Sequence, residues 1–156
     1  MLRLPDRAKA SVENCAAFIK WLLYSCLTGV VVGLVAVAFH VGIDIAAGLR
    51  EEYPQVIVLL PLAGPAIILL YRACGMDKDR GTNHILAAVR DAEGVKLRTA
   101  PLIFLSTIGT HFVGGSAGRE GAALQLGGSL AAYTGKRLGL DEMDERIMVM
   151  CGMAAA

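Results

Sequence analysis

Trp21 to Ile43 carries no formal charge if His40 is neutral. As a helix this run is about 34 Å long, enough to cross the hydrocarbon of a bilayer with some tilt. In lipid every backbone polar group must find a partner within the protein, so a chain built on such runs is restricted to helices or closed barrels. Two more uncharged runs follow, Gln55 to Tyr71 and Thr99 to Gly118. With 55% of 156 residues hydrophobic, the chain reads as an all-α integral membrane protein whose first partner is the lipid bilayer. A formal charge of +1 gives no basis for a nucleic-acid partner. Cys15, Cys26, Cys74 and Cys151 are far apart and lack metal-ligand spacing, so reduced thiols are expected and neither metal nor cofactor is implied.

Residues 1–20 form a basic arm, with Arg3, Arg7, Lys9 and Lys20, and a surface helix is expected around Ser11 to Lys20. Basic residues ahead of the first span place this end in the cytoplasm. Gly29, Gly33 and Gly42 within the span suggest close helix contacts. His40 reads as a packed or interfacial histidine. The second run contains Pro61 and Pro65 and returns the chain to the cytoplasm, because Arg72, Lys78, Arg80, Arg90, Lys96 and Arg98 precede the third. Between them Gly81-Thr82-Asn83 supplies a turn and N-cap for a helix expected over His84 to Arg90.

The functional signal is GGSAGREGAALQLGG, Gly114 to Gly128. Arg119 and Glu120 stand between glycines in uncharged sequence, where charges are costly and usually functional. Gly118 and its neighbours permit tight backbone, and from Gly121 to Thr134 the pattern reads as a short helix of about 21 Å, too short to span. A bent loop feeding a helix start within the membrane is an anion site: the first N–H groups lack internal partners and carry roughly half a positive charge. Two other readings belong beside it. Gly114 to Gly118 matches G-x-S-x-G, which would make Ser116 the nucleophile of an intramembrane hydrolase, although that elbow requires a preceding strand and His40, His84 and His111 all come before it. Alternatively the glycines serve helix packing, and the chain is a non-conducting assembly subunit.

Gly118-Arg119-Glu120-Gly121, with Gln125-Leu126-Gly127-Gly128-Ser129 after it, resembles the signature of the CLC family of chloride channels and proton-coupled anion transporters. The order of segments fits the first inverted repeat of that family's pore domain, in part, with re-entrant half-helices; residues 21–156 would belong to it. The closing stretch Ile147 to Ala156 has no polar flank, so the chain is expected to be the first part of a longer protein. Ala122 stands where the family usually has proline, a mild change at a helix's first turn. The family's Gly-Ser-Gly-Ile-Pro turn aligns with Asp79-Arg80-Gly81-Thr82-Asn83, without the serine, as in the fluoride-exporting branch. Chloride and fluoride therefore both stand as the anion.

The resemblance implies anion transport by a multi-pass protein of the cell's inner membrane, a homodimer at full length, working as a channel or exchanging anions for protons. It makes Glu120 the gate and proton carrier. Gly81, Thr82, Asn83, Gly118, Arg119 and Gly121 would supply or position backbone donors for the anion, with Arg119 bracing the loop through carbonyls or a carboxylate.

Overall fold

A computed structural model describes residues 6–76, 81–91 and 94–156, with side chains from Asn14 onward except that of Asp91. Met1, Lys78, Asp79 and Arg80 lie outside the described residues. Within them the fold is six α-helices and one 3₁₀ segment, with no strand. Helix α1 runs Asp6–Glu52, the 3₁₀ segment Pro54–Leu59, α2 Leu60–Ala73, α3 Thr82–Asp91, α4 Thr99–Phe112, α5 Arg119–Arg137 and α6 Glu142–Ala155. The four cysteines are free thiols.

The first difference from expectation is α1. The surface helix and the first span are one 47-residue helix, about 70 Å long. No proline interrupts the sequence from Asp6 until Pro54, and the polar residues on either side of the apolar run are good helix formers. Trp21 and Tyr24, with the Lys20 ammonium 5.6 Å from each ring, mark one interface. Arg50, Glu51 and Glu52 lie about 43 Å further on, the thickness of a bilayer with its headgroups. Thr28, Val32, Phe39, Ile43 and Ala46 form a buried stripe at helical spacing, while Leu23, Val30, Leu34, Val37 and Ile45 are exposed on other faces. An apolar residue set on both faces suits a helix that meets protein on one side and lipid or further chain on the other.

Among the α1 glycines only Gly42 of the three singled out is a close contact. A Cβ there would stand 2.6 Å from Cδ1 of Ile108 on α4, whereas Gly29 and Gly33 face open space. The 3₁₀ segment and α2 together make a second apolar stretch, Pro54–Ala73, long enough to cross a membrane at about 33 Å. Pro65 lies inside α2, near its start.

The remaining corrections concern where helices start and stop. The third run is helical only over α4, about 21 Å, because the chain turns at Gly114 with φ +86° and the Gly115 N–H bonds back to the Thr110 carbonyl at 2.8 Å. The helix after it is longer than expected: α5 continues past Thr134 through Lys136 and Arg137, about 28 Å in all. Two cations in the last turn complement the helix dipole rather than ending the helix. Gly139 ends it, at φ +66°, with Leu140 N bonded to Gly135 O and Gly139 N to Lys136 O, the pairing of a Schellman cap. Helix α6 starts at Glu142, ahead of the expected Ile147, because the Asp141 carboxylate accepts from Asp144 N at 2.8 Å and three acids occupy the first turn.

Two apolar clusters hold α5. Phe39 and Ile43 of α1 meet Ala122 and Leu126, with Phe104 and Ile108 of α4 alongside. Further along, Ala132 packs with Ile85 and Ala88 of α3, Val95, and Val149 of α6. The α5–α6 pair is the closest: a Cβ on Gly127 would run into the Gly152 carbonyl, and one on Gly152 into Ala131 and the Gly127 carbonyl. Backbones approach this near only where both helices present glycine. At the other end of α6, Lys20 Nζ reaches Asp144 Oδ2 at 2.6 Å.

Candidate functional site

The start of α5 is the centre of the site. Gly118 is the N-cap, with extended backbone at φ −66° and ψ 122°, and no side chain caps the helix. Arg119, Glu120 and Gly121 are therefore its first three residues, whose N–H groups have no partner within the helix. Glu120 sits in that turn as an exposed carboxylate. A Cβ added at Gly118 would meet nothing within 4 Å, so this glycine keeps the turn open and does not serve packing. The packing reading holds for Gly127 and Gly128 downstream, where added atoms would strike Gly152 and Ile85.

The start of α3 meets the same turn. Gly81 takes φ +60°, a conformation natural to glycine, and accepts from His84 N at 3.0 Å. The helix thus begins at Thr82, two residues earlier than the sequence suggested, so that Thr82 and Asn83 are already helical. The Thr82 hydroxyl donates to the Gly121 carbonyl at 3.4 Å and accepts from Gln125 Nε2 at 3.2 Å, while Gln125 Nε2 also donates to Gly121 O at 3.1 Å. Gly121 is closely approached, since a Cβ there would stand 3.0 Å from Thr82 Oγ1 and would press on that hydroxyl. These contacts leave Thr82 only its backbone N–H to offer a ligand. Asn83 is exposed.

The first two turns of α5 line two cavities. One, of about 480 Å³, lies against α1 and is lined by Glu120 and Arg119 together with His40, Phe39 and Ile43. The other, of about 370 Å³, lies against α2 and α4 and is lined by Gly81 and Gln125 with Tyr71, Arg72 and Ile103. Arg119 braces across to α1, its Nη1 3.9 Å from Asp44 Oδ1. His40 Nε2 is 3.3 Å from the other oxygen, Oδ2, of the same carboxylate, so this histidine is a polar partner and is not packed in the core. Ser116 is exposed in the loop after α4; helix, not strand, precedes it, so the context of a hydrolase elbow is missing. Among the described residues no cluster of His, Cys, Asp or Glu could hold a metal.

The family model for the voltage gated chloride channel matches residues 63–156. The chain belongs to that family. A chloride/fluoride channel protein of Pseudomonas syringae pv. tomato is 37% identical over 137 residues, which are 87% of this chain and 30% of that protein. The crystal structure of a CLC-type fluoride/proton antiporter superposes with a TM-score of 0.79 at 33% identity, covering 85% of this chain and 34% of the antiporter chain. The chain thus spans about a third of the length of both CLC relatives. Its six helices are an all-α membrane fold of the CLC type.

Three polar residues around this candidate site were not assigned to it from sequence. Gln125 was visible only as part of the downstream motif, yet its amide ties α3 to α5. Ser129 follows one turn later and donates to the Gln125 carbonyl at 2.5 Å, keeping a polar seam inside an apolar helix pair. Asp44 falls one residue beyond the uncharged run that defines the first span. A single acid just past an apolar run was its only signal.

Proposed function

We propose that the chain forms the first part of a CLC-type pore domain that moves chloride or fluoride across the membrane, with Glu120 as gate and proton carrier. The observation that carries this reading is the meeting of two helix starts at Gly121 and Thr82, beside a cavity into which Glu120 opens. The uncapped N–H groups of α5, with the start of α3 beside them, form a cradle for negative charge. An ionised carboxylate in the first turn of α5 competes with an anion for it; a protonated one has no charge to hold it there. Anion occupancy and protonation of Glu120 then favour one another, which is the basis of exchange. Gly118, Arg119 and Gly121 position the α5 donors, and Gly81, Thr82 and Asn83 those of α3. Residues 1–20 precede the pore region, 21–156 belong to it, and the full-length protein pairs as a homodimer in the inner membrane.

The test is direct. Full-length protein in liposomes loaded with chloride or with fluoride should release at least one of them well above protein-free vesicles. Release of neither anion rejects the reading.

Orientation follows from charge. Six basic residues lie between Arg72 and Arg98 against one at Arg50, so Met1 and Lys78 are both expected on the cytoplasmic side. Single cysteines at these positions, in a background without Cys15, Cys26, Cys74 and Cys151, should resist an impermeant maleimide in intact cells and react after permeabilisation. Labelling of position 78 from outside would reverse the assignment.

A further inference from the structure

We propose that Asp44 is a positioning residue for the gate: its carboxylate holds Arg119 with one oxygen and His40 with the other, so the charge beside Glu120 is set from α1. The proposal rests on the gate reading above. Its geometry is independent of it: Asp44 Oδ1 to Arg119 Nη1 is 3.9 Å, and Asp44 Oδ2 to His40 Nε2 is 3.3 Å. Arg119 is the residue before Glu120, and His40, Arg119 and Glu120 line the same cavity.

Depth makes the cluster accessible to protons. Asp44 lies about 35 Å along α1 from Trp21, just beyond a hydrocarbon layer of about 30 Å and level with the opposite headgroups. Half-exposed ion pairs there contribute little to stability. Their effect falls instead on the neighbouring carboxylate. Arg119 attracts an ionised Glu120, and Asp44 offsets that attraction by the opposite charge it sets beside Arg119. Without Asp44 the full charge of Arg119 acts on Glu120, the ionised gate is held more firmly, and more acid is needed to release it.

The other titratable or charged groups on elements packed against this corner do not substitute for Asp44. On α4, His111 Nδ1 is hydrogen-bonded at 2.9 Å to the carbonyl of Thr107 on its own helix. Helix α3 brings His84 to its first turn. The acids of α6 lie in its first turn, where Asp144 is paired with Lys20, about 36 Å along α1 from Asp44. Arg50, Glu51 and Glu52 end α1, and the Arg50 side chain lies against Gly114.

The experiment follows anion efflux against pH for full-length protein in liposomes, comparing wild type, Asp44→Asn, Asp44→Ser, Asp44→Glu, Glu120→Ala and the Asp44→Asn/Glu120→Ala double variant. Asp44→Asn is expected to move the midpoint toward acid by on the order of half a pH unit, without loss of thermal stability. Asp44→Glu, which keeps the charge, should return to the wild-type midpoint, and Asp44→Ser repeats the neutralisation with a smaller side chain. In the Glu120→Ala background Asp44→Asn should change nothing, because the group it acts through is gone. An unmoved midpoint in both neutral variants, a shift in Asp44→Glu equal to that of Asp44→Asn, or a shift that persists in the double variant overturns the proposal. Wild-type pH dependence in Glu120→Ala alone overturns the gate reading itself, and this inference with it.

Discussion

Full-length protein carrying Glu120→Ala is expected to pass anions at a rate that no longer depends on pH, and to lose proton uptake driven by an anion gradient. Glu120 occupies the second position of α5, exposed beside the cavity against α1. An ionised side chain lies where an anion would lie, and alanine removes both the plug and the proton acceptor. Efflux limited by one titrating carboxylate changes by up to about tenfold per pH unit, a dependence that should fall below about twofold in the variant. Glu120→Gln mimics the protonated state and should also be flat with pH, while Glu120→Asp keeps the charge on a shorter arm and should plug the site less completely. If Glu120 served only packing, all three would act through stability. That outcome has little support in the geometry, since truncating an exposed side chain usually changes stability by less than about 0.5 kcal/mol. Anion efflux and proton uptake recorded from the same vesicles separate the two. Proton coupling intact in Glu120→Ala would refute the assigned role.

The second large effect belongs to the α5–α6 crossing. Gly127→Val should destabilise the protein by about 3 kcal/mol or more, because its new atoms meet the Gly152 backbone, which cannot rotate aside as a side chain can. Gly152→Val should do the same against Ala131 and the Gly127 carbonyl. Gly29→Ala and Gly33→Ala serve as controls in α1. Both positions open onto free space, and alanine is the better helix former by about 1 kcal/mol, so these variants should be at least as stable as wild type. Thermal unfolding in detergent, followed by the loss of the monodisperse peak on gel filtration, reads the contrast. Gly127→Val melting with wild type would mean that the two backbones are further apart than described.

Much of the membrane architecture was legible in local sequence. The uncharged runs gave apolar helices, and the glycines around Arg119 and Glu120 pointed to an open turn before a helix, though that helix was expected from Gly121 and begins at Arg119, two residues earlier. Helix ends were less legible. Thr134 was taken as the end of α5 because charges follow it, but Lys136 and Arg137 favour the carboxyl end of a helix, and the stop is set by Gly139 in the left-handed region. The surface helix at Ser11 to Lys20 merged with the span because a change from polar to apolar residues alters a helix's surroundings without breaking it. Contacts between distant residues were invisible. Asp44 and Arg119 are separated by most of the chain's middle, and no local pattern says that the end of one helix will face the start of another.

The glycine crossing also determines what kind of movement the first turn of α5 can make. With two backbones seated on each other at Gly127 and Gly152, sliding along the helix axis would drive carbonyls into Cα atoms. The node acts as a fulcrum. Glu120 stands about 10 Å along α5 from it, so a tilt of about 10° carries the first turn through about 2 Å. That distance is comparable to the reach of a carboxylate side chain. A short lever pinned at its middle can thus open and close its own mouth while the rest of the helix pair keeps its packing.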